Sequence, residues 1–309
     1  MAVKAKLPAI GANHSPQFAP YSEVDTTQGD SVTKARLASL ALALAACAAM
    51  APAFGQTGNG STVAATPAAG AARAIGFYAN GCIRGAVSLE LEGTGWRVLR
   101  PHRNRYWGHP ELIATLRELG RRVRAATGKA MLVADIAQPR GGPATGHASH
   151  QIGLDADIRF QLVPDGALDP ALRDEGTELS MLAEGAKEID RNRWSADQVA
   201  LLRAAATLPQ FDRIFVNPVI KREACQAATG DRRWLAKVVP WYGHDGHMHV
   251  RLRCPPDSPD CRPQDPLPAD DGCGAALAWW FTSEPFRKHI SRPAKPPEPP
   301  ATCRALWQQ

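Results

Sequence analysis

The sequence lacks several patterns that mark common kinds of binding site. No CxxC pair occurs among its seven cysteines, which argues against zinc binding by thiols. Aromatic residues make up only 6% of the 309 residues, and no basic run is interleaved with them. The sequence therefore predicts no nucleic-acid partner, although its formal charge of +6 would suit another polyanion.

An apolar run long enough to cross a membrane comfortably is also missing. The longest run is LASLALALAACAAM at residues 37–50, which follows Lys34 and Arg36 and leads to an Ala-Pro-Ala sequence. A short apolar run between basic residues and small residues is typical of a secretory signal peptide. We therefore predict an N-terminal extension and signal peptide at residues 1–53, and no transmembrane span in the mature protein.

Two features of this N-terminal region remain open. About thirty polar residues precede the basic pair, so we expect translation to begin near Val32 rather than at Met1. The Leu-Ala-Ala sequence before Cys47 resembles a bacterial lipobox, and a lipid anchor through Cys47 is the alternative to cleavage after Ala53. Either form places the rest of the chain outside the cytoplasm, and we predict the periplasm as its compartment.

An even number of cysteines follows the signal region, as expected for an oxidising compartment. They are Cys82, Cys225, Cys254, Cys261, Cys273 and Cys303. Three disulfides are the default expectation, but the sequence alone leaves their pairing open.

Periodicity and turn residues predict one α+β domain. Residues 54–74 form an expected flexible linker, and residues 75–309 form the domain, with a Pro-rich segment near its C-terminus. The predicted elements are a hairpin at 87–100, helices at 110–126 and 195–207, and strands at 131–136, 154–158 and 213–217. This mixed order predicts a central, mostly antiparallel sheet flanked by helices and stapled by disulfides.

Histidines are concentrated in WYGHDGHMHVRLRC at residues 241–254. Apolar residues from Met248 to Leu252 alternate with polar ones at the period of a half-buried strand. His247 and His249 therefore share one face of this strand, and His244 lies in the preceding loop. A His-rich surface strand is the plain alternative to a metal or acid-base site.

A second stretch, GHASHQIGLDAD at residues 146–157, supports the metal interpretation. His150 lies in a Gly-rich loop, and Asp157 follows it on a strand whose apolar residues alternate with aspartates. Together with His249 from a distant strand, they would form an open three-ligand metal site that leaves one position for water.

Four motifs resemble the penicillin-insensitive murein endopeptidases of bacterial periplasms. They are QPRGG at 138–142, GHASHQIGLDADI at 146–158, RIFVNP at 213–218 and HDGHMHVRLRCP at 244–255, and the resemblance extends from about residue 75 to residue 303. That family is similar to D-Ala-D-Ala dipeptidases and hedgehog signalling domains, which share the HxxxxxxD and HxH patterns on an α+β fold.

The resemblance implies a zinc-dependent D,D-endopeptidase that hydrolyses the D-alanyl-meso-diaminopimelyl cross-link of peptidoglycan and is insensitive to β-lactams. An S-x-x-K sequence at residues 31–34 lies at the edge of the signal region and no KTG follows it, so a serine mechanism is not expected. The alternatives are a D,D-carboxypeptidase or dipeptidase with the same zinc site and a non-catalytic, zinc-containing module that binds the cell wall.

The resemblance also assigns metal and catalytic roles. His150, Asp157 and His249 are the expected Zn²⁺ ligands, and His147 is either a further ligand or a residue that lines the site. The expected catalytic residues are His247, as general base or transition-state stabiliser, and His244, which would contact substrate or the developing oxyanion.

The free carboxylates of this substrate suggest binding residues, and the resemblance implies the disulfide pairs. Arg140 and Arg251, with Arg253 as a further candidate, could bind these carboxylates in a bidentate manner, and a solvated surface charge is the alternative for each. The family-like disulfides are Cys82–Cys303, Cys225–Cys273 and Cys254–Cys261.

Overall fold

A computed structural model describes residues 64–287 and 297–309 of the chain. The predicted signal peptide, start near Val32 and modification of Cys47 lie outside these residues, as does part of the Pro-rich segment. Within the described ranges, no helix is both long and apolar enough to span a membrane.

Strands and helices alternate irregularly along the described chain. The strands are β1 (Arg73–Phe77), β2 (Asn80–Arg84), β3 (Val87–Ser88), β4 (Glu92–Gly93), β5 (Trp96–Val98), β6 (Trp107–Gly108), β7 (Lys129–Val133), β8 (Asp155–Pro164), β9 (Phe211–Val216), β10 (Val238–Pro240) and β11 (His247–Leu252). The α-helices are α1 (Pro110–Thr127), α2 (Pro170–Glu175), α3 (Ala196–Ala206), α4 (Pro218–Ala227), α5 (Ala275–Trp279), α6 (Glu284–Arg287) and α7 (Ala301–Trp307). Short 3₁₀ helices cover Pro101–Arg103 and Arg233–Lys237.

Seven strands form the central sheet in the order β10-β9-β11-β8-β7-β5-β4. The β10-β9 and β7-β5 contacts are parallel and the other contacts in this sheet are antiparallel, so the predicted α+β fold with a mostly antiparallel sheet is confirmed. Strands β8 and β11 lie side by side in the middle of the sheet. Polar side chains on their shared face can therefore meet although they are far apart in sequence.

Helix α1 closes one face of the sheet. Leu112, Leu116, Leu119 and Val123 recur at helical spacing and are fully buried, and the helix packs against β7 and α3. Gly128 ends the helix in a left-handed conformation, with φ of 71°. Each such buried side chain contributes roughly 1.5–3 kcal/mol of hydrophobic stabilisation. This packing holds α1 against the central sheet.

Most predicted elements occur close to their expected positions, but several strand ends differ. The hairpin expected at 87–100 is only partly formed, because β4 pairs with β5 whereas β3 pairs with β6 in a separate sheet. The strand expected at 131–136 is β7, which ends at Val133. The strand at 154–158 is only the first half of β8, which continues to Pro164. Pro218 does not simply terminate the preceding strand but occupies the first turn of α4, with Asn217 as its N-cap. An Asn-Pro pair provides a capping side chain and a residue with a helical φ angle, so it begins a helix as readily as it ends a strand.

Three disulfides join cysteines of the described chain, in the pairs that the resemblance implies. Cys82 on β2 is bonded to Cys303 on α7, Cys225 on α4 to Cys273, and Cys254 to Cys261. Strand β1 begins at Arg73, close to the expected end of the linker, and Ala68 is already buried. The proposed division into signal, linker and domain stays a prediction.

Candidate metal and active site

The β8-β11 register places the first two candidate ligands side by side. His249 is directly opposite Asp157 in the antiparallel ladder, and both side chains are almost completely buried. His249 Nδ1 lies 3.2 Å from Asp157 Oδ1. The alternation of polar and apolar residues in both strands produces this contact, because it directs both side chains to the same face of the sheet.

His150 reaches the same point from the loop that precedes β8. Its backbone is in the left-handed region, with φ of 66°, and its N–H donates to Asp155 Oδ2 at 3.1 Å. Its Nε2 lies 3.2 Å from Asp157 Oδ1 and 3.2 Å from His249 Nδ1. This conformation is uncommon for a residue other than glycine, and the surrounding contacts impose it. Such conformations cluster at functional sites, where a side chain must be held in place.

The three ligand atoms form a triangle that fits a metal ion. Each pair is 3.2 Å apart, and tetrahedral ligands about 2.0–2.1 Å from a zinc ion would be roughly 3.3 Å apart. Asp157 Oδ1 is buried and accepts no hydrogen bond. Burying an unpaired charge is energetically unfavourable, and a cation bound within the triangle would remove this penalty. His147, His150 and Asp157 also form a group that could hold a metal ion.

An acceptor oxygen lies beside the outer nitrogen of each imidazole. His150 Nδ1 lies 2.6 Å from the Ile136 carbonyl, and His249 Nε2 lies 3.1 Å from Asp155 Oδ1. Because these oxygens only accept, they favour the tautomers in which the nearby nitrogen carries the proton and His150 Nε2 and His249 Nδ1 offer their lone pairs to a metal. Ligating histidines in metal sites are commonly held in this way.

The charges of the site are strongly coupled. Burial alone would raise the pKa of Asp157, but His150 and His247 hold that pKa well below its usual range. Burial opposes protonation of His150, but Asp157 outweighs it and raises the pKa of His150 to about 9. The carboxylate is therefore ionised at neutral pH, as a metal ligand must be, and it draws positive charge towards itself.

His247 lies next to the triangle on the same strand face as His249. Its Nε2 is 3.6 Å from Asp157 Oδ1, and its Nδ1 is 2.6 Å from Glu178 Oε1. Glu178 also forms an ion pair with Arg159 of β8. Burial opposes protonation of His247, but Asp157 and Glu178 outweigh it and raise the pKa of His247. When the ring is neutral, Glu178 accepts the Nδ1 proton and the unprotonated Nε2 faces the ligand triangle.

His244 approaches from the loop before β11. Its ring lies 5.1 Å from that of His247 and 5.9 Å from that of His249, measured between centroids. Burial, with a smaller contribution from these two histidines, lowers the pKa of His244 to about 3. His244 is therefore neutral at physiological pH, and its Nδ1 faces the Tyr242 carbonyl at 3.1 Å.

His147 lies on the opposite side of Asp157. Its Nδ1 is 3.6 Å from Asp157 Oδ2, and its Nε2 is 2.8 Å from Asp135 Oδ2. The structure thus brings all five sequence-predicted histidines and Asp157 together. Whether His147 is a ligand or lines the site stays a prediction.

The two arginines predicted to bind substrate lie in other surroundings. Arg251 is buried, forms two hydrogen bonds with Asp155 at 2.7 and 3.2 Å, and stacks over Tyr78 and Phe215. Arg140 donates to the carbonyls of Thr66 and Leu306. These contacts favour a structural contribution from both arginines, and their substrate-binding role stays a prediction.

Asp135, Asp155 and Glu178 belong to the site but were not among the predicted site residues. Asp155 carried a signal, since it lies two residues before Asp157 and so shares its strand face. Glu178 lies in an irregular segment 69 residues before His247, where no periodic pattern indicates a role.

The sequence is similar to those of known proteins over most of its length. A family profile described as penicillin-insensitive murein endopeptidase matches residues 74–308. A protein named penicillin-insensitive murein endopeptidase from Haemophilus influenzae is 46% identical over 238 residues, which cover 77% of this chain and 83% of that protein. A protein of the same name from Salmonella paratyphi C is 42% identical over 246 residues, covering 79% and 89% of the two chains.

Proposed function

We propose that this chain, which belongs to the penicillin-insensitive murein endopeptidase family, is a zinc-dependent D,D-endopeptidase. Its proposed substrate is the D-alanyl-meso-diaminopimelyl cross-link of peptidoglycan. The observation that carries the proposal is the 3.2 Å triangle of His150, Asp157 and His249 atoms beside His247. Two imidazole nitrogens and one carboxylate oxygen are a common ligand set of catalytic zinc.

Zinc held by His150, Asp157 and His249 would supply a Lewis acid that lowers the pKa of a water molecule and polarises the scissile carbonyl. The single carboxylate among these ligands leaves the site with positive charge, which favours an oxyanion.

His247 is the proton carrier in this proposal. With Nδ1 held by Glu178, its Nε2 can take a proton from the attacking water and deliver it to the nitrogen of the leaving amine. The amide and water then yield a carboxylate and an amine.

His244 has a separate role in this proposal. The Tyr242 carbonyl accepts its Nδ1 proton, which leaves Nε2 as an acceptor for a substrate N–H. We propose that His244 positions the peptide instead of donating to the oxyanion.

The proposed compartment is the periplasm, after export by the predicted signal peptide. Three disulfides and a formal charge of +6 support an oxidising, wall-facing location. Fractionation of cells that express the full chain tests this location, and recovery of folded, oxidised protein only from the cytoplasm would contradict it.

The proposed activity is tested with purified protein, its bound zinc and a cross-linked muropeptide dimer. We expect wild type to bind one zinc per chain and to release monomers, and His249→Ala to lose both properties. His247→Ala should keep zinc and lose about 100-fold or more in kcat. His102→Ala is the matched control, because this exposed histidine lies elsewhere and contacts Asp174.

Three outcomes would contradict the proposal. Full turnover without zinc excludes the metal mechanism. Zinc binding with cleavage of uncross-linked pentapeptides but not of dimers indicates a D,D-carboxypeptidase. Zinc binding with muropeptide affinity and no cleavage indicates a wall-binding module.

A further inference from the structure

An arginine group lies beside the metal triangle and has no part in the chemistry described above. It consists of Arg100, Arg103 and Arg105, whose guanidinium groups surround the carboxylate of Asp135. The nearest nitrogens lie 3.7, 3.2 and 3.0 Å from its oxygens, respectively. Arg105 also donates to the Thr145 carbonyl at 2.9 Å.

The arginine group is coupled to the site through two contacts. The backbone N–H of Asp157 donates to the Asp135 carbonyl at 2.9 Å, so Asp135, two residues beyond the end of β7, is hydrogen-bonded to β8. His147 lies between their side chains, with Nε2 towards Asp135 and Nδ1 towards Asp157. The positive charge of the arginine group is therefore close to the candidate metal site, separated from Asp157 by Asp135 and His147.

This group has more hydrogen-bond donors than Asp135 can accept. Three guanidinium groups carry five N–H donors each, whereas Asp135 has two oxygens that His147 already shares. Arg100 Nε is buried and has no hydrogen-bond partner. The side chains of Arg100 and Arg103 are 24% and 29% exposed, whereas that of Asp135 is 3% exposed. Arg100 Nε itself is not accessible, but the exposed parts of the Arg100 and Arg103 side chains can be reached by an anion from outside.

The backbone holds these arginines in a defined arrangement. Arg100 and Asn104 flank the 3₁₀ helix Pro101–Arg103, and both are left-handed, with φ of 50° and 52°. Non-glycine residues are strained in this region and persist there only where surrounding contacts impose the conformation. Here Arg100 N–H donates to the Arg173 carbonyl at 2.8 Å, and Asn104 Oδ1 accepts from Trp107 at 2.7 Å.

We propose that Arg100 and Arg103 bind a free carboxylate of the substrate peptide and so fix the cross-link in register with the metal triangle. The inference rests on the proposed function. Two carboxylates of a cross-linked dimer qualify: the diaminopimelyl carboxylate next to the scissile nitrogen, and the terminal D-alanyl carboxylate. Guanidinium groups bind carboxylates through two parallel hydrogen bonds, which adds orientation to charge attraction.

The test compares wild type, Arg100→Gln and Arg103→Gln on three muropeptide dimers. One dimer has both carboxylates free, one is amidated at the diaminopimelyl carboxylate, and one at the terminal carboxylate. Arg233→Gln is the control, since this arginine is 91% exposed and pairs with Asp231. Zinc content is measured for every protein.

We expect both substitutions to lower kcat/KM on the free dimer by about tenfold with unchanged zinc content. Amidation of one carboxylate should cost wild type a similar factor and abolish the difference between wild type and variants, which identifies the carboxylate bound. An equal loss on all three dimers would overturn the inference, since it would show that the arginines only position Asp135 and His147. Unchanged kinetics in both variants would overturn it as well.

A binding measurement separates this inference from the proposed reaction. Calorimetry with the uncross-linked tetrapeptide that ends in diaminopimelyl-D-alanine, which carries both carboxylates, and with the amide of each carboxylate requires no cleavage. Weaker binding of one amide by wild type, with no such preference in Arg103→Gln, supports the arginine site even if dimers are not cut. Equal binding of all the peptides by both proteins would overturn it, whatever the hydrolytic activity.

Discussion

At the residue scale, the contact between His247 and Glu178 decides which nitrogen of the imidazole faces the metal triangle. Glu178→Gln removes the negative charge and replaces one acceptor oxygen by an NH₂ group. The neutral His247 ring then no longer prefers the tautomer protonated at Nδ1 over the one protonated at Nε2. We expect kcat to fall by about tenfold or more with zinc content unchanged. Steady-state kinetics and metal analysis measure both quantities.

Glu184→Gln is the matched control for this prediction. Glu184 is exposed in the same irregular segment, and its substitution should leave kcat unchanged. Loss of zinc from Glu178→Gln would contradict the assignment, because it would make Glu178 a support of the metal site and not of the proton carrier.

Lys221 provides a pH-dependent contribution to stability away from the site. It is fully buried and donates to the carbonyls of Leu235 and Asp271. Burial lowers the pKa of Lys221 from 10.5 to about 8. Between these values the unfolded chain binds the proton and the folded chain does not, so the free energy of unfolding rises with pH across this window.

We therefore expect wild type to gain stability relative to Lys221→Met between pH 8 and pH 10, on the order of 2 kcal/mol. Urea unfolding of both proteins across this range measures the difference. Lys187→Met, at an exposed position, should show a difference from wild type that is constant with pH. A Lys221→Met difference that is equally constant would refute the lowered pKa.

The residues of the site were predictable from sequence where strand periodicity placed them. His247 and His249 lie on β11 and Asp157 on the adjacent strand β8, each in a stretch where polar and apolar residues alternate, and the structure brings them together. Asp135, Glu178 and the arginine group were not predictable in this way, because loops and register shifts bring them to the site. A carboxylate in a loop has no periodic signal that distinguishes it from a solvated one.

At the element scale, the QPRGG turn shows how a loop can be specified as tightly as a strand. Gly141 has φ of 66°, and a Cβ atom there would lie 2.0 Å from the Gln151 carbonyl oxygen. Gly128 has φ of 71°, but a Cβ atom there would meet nothing within 4 Å. The two glycines therefore share a conformation and differ in the space around them.

Alanine substitutions at these two glycines distinguish the cost of backbone strain from the cost of a steric clash. Gly128→Ala should lower the free energy of unfolding by roughly 1–2 kcal/mol, the cost of a left-handed residue with a side chain. Gly141→Ala should cost at least about 2 kcal/mol more, since the backbone must shift. Denaturant unfolding measures both, and equal losses would contradict the predicted collision.

Elements with strong local signals were predictable, and elements defined by contacts were not. The Ser195 cap and helical spacing specify α3, and the structure contains a capping box at that position. Strands β1 and β2 carry glycines and are short. These strands are stabilised by their pairing with each other and by the disulfide from Cys82 to α7. No local sequence pattern predicts either contact.

At the scale of the whole molecule, disulfides of very different span allow a comparison of their contributions. Cys82–Cys303 spans 221 residues and Cys254–Cys261 spans seven. Chain-entropy estimates give about 5 kcal/mol for the first and about 2 kcal/mol for the second. We expect a paired Cys→Ser substitution of Cys82 and Cys303 to be the more destabilising.

Thermal and denaturant unfolding of the two paired variants, under non-reducing conditions, test this order. Each variant keeps the other two disulfides, so each is the control for the other. A larger loss from the seven-residue loop would show that local strain, and not restriction of the unfolded chain, dominates.

The bond between Cys82 and Cys303 also closes most of the domain into a covalent ring. A protease that nicks an exposed stretch inside this ring, such as residues 184–188 between α2 and α3, produces no free fragment. The two pieces stay in one molecule and separate on a gel only after reduction. A wall-degrading enzyme built in this way can survive a single cut with its histidines still facing one another.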